Sequence, residues 1–360
     1  MIPHVKPLLG NEEEAKVIEV LRSGMLAAGS YVFEFEQAFK SYINTKYALA
    51  TSSGTTALHV IMEAMGIGVG DKVFTTPFSF IASSNSILYT GATPIFVDID
   101  PKTYNISPDG LEAAIKKHPE GKAVLVVHLF GLPADMSPIM ELANKNNLFI
   151  LEDCAQAHGA AYRGQNVGTF GKAAAFSFYP SKNITSGEGG IVVTDDPVLE
   201  EKMRMLVNHG QRKRYYHELV GYNYRMTNIH AAIGLEQLKK LDSFNKRRRE
   251  NAQYYNQNIT NPLIQKPQVP PDRTHVYHQY TLIVDNREKF TNYLTANEIG
   301  YGIHYPIIIP AQECYRNNPG SSGSWPVAEE IARRCVSIPV HPALSRSDLI
   351  TITKTINNYR

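Results

Sequence analysis

The stretch "LFILEDCAQAHGA", residues 148 to 160, decides how this chain is read. Leu148 to Leu151 are apolar without a break, so the segment reads as a strand buried on both faces, as in a parallel sheet. Asp153 stands at its carboxyl end, and in open α/β sheets ligands sit at that edge. A carboxylate there either caps the next helix or holds a protonated ring nitrogen through a charge-assisted hydrogen bond, typically worth about 1.5–3 kcal/mol. Gln156, three residues on, can face the same pocket.

On either side the pattern repeats. "KYALAT", "KVFTTP", "ATPIFVDID", "AVLVVHLFG", "AAAFSFYP" and "GGIVVTD" are short apolar runs. Between them lie helical patterns such as "SPDGLEAAIKKH", "MSPIMELANKNN" and "TTALHVIMEAMG", the last with Leu58, Ile61, Met62 and Met65 at helix spacing. The prediction is an α/β fold with a large, mostly parallel sheet covered on both faces. The uncharged stretch 73–97 has the length of a membrane span, but Pro77, Pro94 and a run of Ser, Asn and Thr divide it into strand, helix, strand. After about residue 230 the texture changes. "NIHAAIGLEQLKKLDSFNKRRRENAQYYNQNI" is one long helix, whose "KRRRE" reads as a solvated face. A Pro-rich break, "QKPQVPPDR", precedes strands and further helix. Two domains are expected: 1–240, large, with an N-terminal arm, and 241–360, small and α+β. No internal repeat is visible.

Composition excludes several classes. With 360 residues, 43% apolar and 19% charged, the chain is an ordinary globular protein long enough for two domains. A net charge of +2 gives no case for nucleic acid. Cys154, Cys314 and Cys335 are too few and scattered for a disulfide framework or a zinc cage, and no metal is expected. The N-terminal "MIPHVKPLLGNEEEAK" has neither the basic start nor the apolar block of a secretory signal. The expected setting is the cytoplasm, without a membrane.

Three further segments carry chemistry. "ATSSGTTALH" (50–59) places small hydroxylated residues and Gly54 where a strand gives way to a helix, suited either to plain capping or to a phosphate at the helix N-terminus. "GIGVG" (66–70) follows a helix and precedes a strand, the wrong order for a dinucleotide fingerprint. In "FSFYPSKNITSGEGG" (176–190) Lys182 follows a strand and leads into glycines that permit tight turns, with Ser177 five residues before it. A lysine there is either surface decoration or, if desolvated, an amine nucleophile for a carbonyl. "GYNYRMTNIHAAIG" (221–234) mixes amide, aromatic and basic side chains and says little alone. Together, a phosphate-binding helix start, an Asp for a pyridine nitrogen and an amine for an aldehyde are the parts that pyridoxal phosphate needs.

This ordered set, from "SGMLAAGSYVFEFEQAF" through "SSGTTALH", "EDCAQAHGA", "FSFYPSKNITSGEGG" and "GYNYRMTNIHAAIG" to "GIHYP", resembles the DegT/DnrJ/EryC1/StrS sugar aminotransferases end to end. The resemblance implies the aspartate-aminotransferase-like fold (fold type I). It implies that Lys182 binds the pyridoxal 5′-phosphate aldehyde and Asp153 its pyridine nitrogen. Gly54, Thr55 and Ser177, with Thr56 close by, would meet the phosphate. Phe80 would stack on the ring, and Gln156 would lie beside the ring hydroxyl. Asn223 would reach the phosphate of the neighbouring subunit, making a homodimer with composite sites. His304, Tyr305 and Arg225 are candidate substrate contacts. Cys154 stands where Ala is more usual and reads as a small buried thiol. Relatives with His in place of the lysine remove a hydroxyl; Lys182 places this chain with the transaminases.

The expected reaction is amino transfer, from L-glutamate, to the keto group of a nucleotide-linked sugar for surface glycan, lipopolysaccharide or antibiotic synthesis. "HGQRKRYYH" (209–217) either offers cations to the sugar nucleotide or is a basic surface loop. Two alternatives stand beside it: a dehydrating, amino-cyclitol-forming or aromatic amino acid-forming member of the same family, and a regulatory protein on this fold that has lost activity.

Overall fold

A computed structural model describes all 360 residues. Its centre is a seven-stranded sheet in the order 47–51, 190–194, 173–177, 149–153, 123–127, 72–75, 93–96. Neighbours are parallel except around Gly190–Thr194, which runs against both strands beside it. The sheet is therefore mostly parallel, as the unbroken apolar runs predict. Successive residues serve opposite faces. Ala48, Ala174, Phe176, Ile191 and Val193 pack into one core, while Leu49, Ala173, Ala175 and Val192 pack into another. Helices Ser30–Ile43 and Asn228–Asn258 cover the first face, and Gly54–Ala64 and Pro197–Val207 the second. The stretch 73–97 resolves into strand, helix Ala82–Tyr89 and strand.

The antiparallel strand determines where Lys182 goes. A parallel crossover would carry the chain to the far end of the sheet, whereas adjacent antiparallel strands are joined at one edge. Ser177 pairs with Gly190, so the loop 178–189 that bears Lys182 stays at the carboxyl edge, beside Thr51 and near Asp153.

A second, three-stranded antiparallel sheet joins Ile264–Gln265, Tyr280–Val284 and Cys335–Ile338. Helices Arg287–Ala296 and Arg346–Asn358 complete a separate core around Tyr280, Phe290 and Ile352. The helix Asn228–Asn258 runs through residue 240, giving Ala231, Leu238 and Leu241 to the large sheet's core and Ala252 and Tyr255 to the small one. The N-terminal arm reaches the small sheet's layer, where Ile2 bridges Ile299.

One expectation on this helix needs correcting. Lys246, Arg249 and Glu250 are exposed, but Arg248 is buried and donates from Nη1 to the Tyr277 carbonyl at 3.1 Å. Positions 241, 245, 248, 252 and 255 form one inward stripe at helical spacing, which a charge run conceals. No helix is long and apolar enough to cross a membrane.

Candidate active site

The carboxyl edge of the large sheet and the segment 303–305 enclose a cleft of ≈ 610 Å³. One wall is the start of helix Gly54–Ala64. Ser53 caps it, its side chain accepting from Thr56 N, while Thr56 Oγ1 accepts from Ser53 N at 3.0 Å. The cap leaves Gly54 and Thr55 on the cleft and turns Thr56 into the capping box. A Cβ on Gly54 would stand 2.6 Å from Ser177 Cβ, and one on Gly190 would stand 2.3 Å from the Ser53 carbonyl. Helix start and strand ends thus meet backbone to backbone, leaving N–H groups and the positive end of the helix dipole facing the cleft.

Asp153 closes the floor. Its Oδ2 accepts from Ser83 Oγ at 2.7 Å and its Oδ1 from Ala155 N at 3.0 Å. The preceding residue explains why this strand end is rigid. Glu152 accepts from Gly168 N (2.7 Å), Phe170 N (2.8 Å) and Gly171 N (2.8 Å), and from buried His128 Nε2 at 3.0 Å. His128 Nδ1 accepts from Ala134 N, so Nε2 carries the proton. With Cys154 these two residues lie close enough to hold a metal, but the Glu152 oxygens are already taken up by four donors. The group is a structural bracket. Cys154 itself is fully buried, and burial pushes its thiol up.

Lys182 is half-buried at the cleft. Burial pulls its amine down to about 8, against the opposing charge of Asp153. Its own loop is tied down by Lys182 N donating to Tyr179 O and Ser186 N to Phe178 O. Gln156 spans the cleft: Oε1 accepts from Phe130 N at 2.7 Å and Nε2 donates to Tyr305 OH at 3.0 Å. Phe80 is 55% exposed, its ring 6.2 Å from that of Tyr305, so an aromatic face is available to a ligand. His304 stacks on His4 at 5.5 Å and is brought down to about 4 by burial and by Lys182, and so stays neutral. Burial raises Tyr305.

The cleft therefore gathers Gly54, Thr55, Phe80, Asp153, Gln156, Ser177, Lys182, His304 and Tyr305. It does not gather Thr56, nor Asn223 and Arg225 of the same chain. Asn223 is exposed, and Arg225 Nη1 donates to Asn208 Oδ1 at 2.8 Å. Sequence reasoning missed Ser83, the carboxylate's donor, and His278 and Gln279, which complete the wall. Ser83 sits in the run of Ser, Asn and Thr that breaks the stretch 73–97, and nothing in that run singles it out. His278 precedes a strand, and burial holds its imidazole well below the usual range.

A half-buried amine, a braced carboxylate and a helix start thus converge on one cleft. A DegT/DnrJ/EryC1/StrS aminotransferase family profile matches residues 7–357. The chain is 40% identical to GDP-perosamine synthase of Escherichia coli O157:H7, covering 99% of this chain and 98% of that one. It is 42% identical to dTDP-3-amino-3,6-dideoxy-alpha-D-galactopyranose transaminase of Aneurinibacillus thermoaerophilus, covering 94% and 93%. The crystal structure of S. venezuelae DesV in complex with a ketimine intermediate superposes with a TM-score of 0.95 at 38% identity, over 99% and 98% of the chains. Matched in sequence, fold and edge-to-edge coverage, the chain belongs to the DegT/DnrJ/EryC1/StrS aminotransferase family.

Proposed function

We propose that the protein binds pyridoxal 5′-phosphate in this cleft and moves an amino group from L-glutamate to a keto group of a nucleotide-linked sugar. The observation that carries this is Lys182, a half-buried amine lowered to about 8 in the same cleft as the Asp153 carboxylate. The residues fit the cofactor. The N–H groups at Gly54 and Thr55, with Ser177, suit its phosphate, and the bare approach at Gly54 keeps side chains out of that space. Asp153, braced by Ser83 and Ala155 N, offers an anion to the pyridine nitrogen. Phe80 offers a ring face and Gln156 an amide beside the hydroxyl.

When bound, pyridoxal phosphate supplies an aldehyde and a ring that accepts electrons as a substrate C–H bond breaks. Lys182, whose neutral fraction near physiological pH far exceeds that of an ordinary lysine, would hold the aldehyde and then move the proton at substrate Cα. Asp153 would keep the ring nitrogen protonated. Neutral His304 and Tyr305 line the part of the cleft where the sugar would lie. The two relatives are named for a GDP-linked and a dTDP-linked sugar, and this supports a nucleotide-linked substrate here.

Asn223 stands outside its own chain's cleft and is exposed, in keeping with a homodimer in which it serves the neighbour's phosphate. Three free cysteines accord with a cytoplasmic setting. The test is the visible absorption of the protein with pyridoxal phosphate, before and after L-glutamate. Loss of the Lys182-linked band and growth of the pyridoxamine band is expected. A band indifferent to glutamate, and to every other amino donor tried, overturns amino transfer.

A further inference from the structure

Residues 222–225 run extended between two fixed edges. Asn223 bridges Asn208 and Arg225 bridges Thr51. Tyr222 N donates to Leu206 O at 2.6 Å, and Tyr224 O accepts from Ser52 N at 2.7 Å. In extended chain alternate side chains face opposite ways, so Tyr222 and Tyr224 share one face and Asn223 takes the other. The two phenol rings lie 4.7 Å apart and nearly parallel, at 6°. They pack against the core beneath helix Gly54–Ala64, whereas Asn223 is exposed.

His59, on that helix, grips the pair. Its ring lies 5.0 Å from Tyr222 and 5.8 Å from Tyr224, with Tyr89 edge-on at 5.4 Å from the other side. Nδ1 is 3.0 Å from Tyr224 OH, and Nε2 faces the Glu63 carboxylate at 3.4 Å. The carboxylate's charge favours the proton on Nε2, though the two do not align as a hydrogen bond, and Nδ1 then accepts from the phenol. His59 is only 5% exposed and lines no part of the cleft that holds Lys182. A buried polar side chain at this position has a structural task, and the task visible here is holding both tyrosines down.

We infer that His59 is a positioning residue that acts across the dimer: by clamping Tyr222 and Tyr224 to the helix it aims Asn223 outward, so that it serves the neighbouring subunit's cofactor and not its own. This rests on the composite-site reading above. One helix then has two duties, its first turn lining its own cleft and its middle presenting a side chain to the other.

The test measures pyridoxal phosphate affinity by absorbance titration of the Lys182-linked band, on dimers verified by mass. His59→Leu homodimers are expected to bind at least about tenfold more weakly, and His59→Asn, whose Oδ1 can replace the Nδ1 acceptor, to recover most of the loss. Affinity equal to the unaltered protein in His59→Leu overturns the proposal. Mixed dimers of differently tagged chains then separate the two duties. Pairing His59→Leu with Lys182→Ala leaves one intact lysine, in a cleft that receives Asn223 from a chain whose His59 is present. Affinity at that lysine is expected to return to the unaltered value. Failure to return means that His59 acts on its own helix and overturns the inference. Pairing Asn223→Ala with Lys182→Ala is the control. No recovery there sinks the composite reading itself; recovery there without recovery for His59→Leu sinks this inference alone.

Discussion

At the scale of the residue, the chemistry is concentrated in Lys182 and Asp153. Burial makes the Lys182 proton less tightly held in the folded protein than in the unfolded chain, about 8 against 10.5. Between those values the unfolded chain binds more protons, so stability rises with pH; below about 8 the burial penalty is present in full. Lys182→Met is therefore expected to abolish turnover and to stabilise the cofactor-free protein at pH 7 by up to about 3 kcal/mol, a gain that shrinks toward pH 10 in denaturant melts. By the same titration, the rate of pyridoxal phosphate uptake should climb about tenfold per pH unit below 8 and level off above it, read by stopped-flow absorbance. Asp153→Asn should retain the cofactor and slow proton transfer at Cα by about 10²-fold or more, measured as single-turnover decay of the band with glutamate. An unchanged rate would reduce Asp153 to a partner of Ser83 and Ala155 N–H.

At the scale of the element, the decisive contact is the meeting of the helix at Gly54 with the strand end at Ser177. Gly54→Ala drives a methyl to 2.6 Å from Ser177 Cβ, and backbone stands close behind it. The expected cost is about 1–3 kcal/mol of stability together with weaker cofactor binding, and Ser177→Gly in the same chain should return part of the stability. Thermal melts of the two single variants and the double variant measure that coupling. Element by element, the sequence carries a good deal of this. Lys182, Asp153 and Gly54 were legible because each stands where an apolar run ends, and strand ends meet at one edge in a parallel sheet. Ser83, His278 and Gln279 were not, because tertiary packing alone brings them to the cleft. The reversal of Gly190–Thr194 was also hidden, since an antiparallel strand buried on both faces has the same apolar run as its parallel neighbours. Arg248 was misread because a run of charges was taken as one face, when its helical period puts one member inside.

At the scale of the whole molecule, an apolar surface is left uncovered beside the start of the long helix. Met25, Leu26 and Phe33 are 67%, 44% and 61% exposed, and the segment carrying them is pinned to the long helix by Asn228 N donating to Leu26 O. We expect this surface, beside the start of the long helix, to be the dimer contact. Phe33→Asp should shift the mass in solution toward 40.1 kDa and lose activity while Lys182 remains in place, as light scattering and turnover would record. The bond from Gln156 to Tyr305 has a consequence at this scale too. Gln156 rises from the edge of the large sheet, whereas Tyr305 follows Gly302, which is paired with Ser337 of the small one. The cleft thus lies where the large sheet meets the small one, beside a buried cluster that Phe96 and Val127 share with Ile283 and Cys335, and whatever binds there touches both parts. Ligand occupancy should then be read in the melt of the whole chain: calorimetry should show pyridoxal phosphate moving the cofactor-free transition to a higher and sharper midpoint.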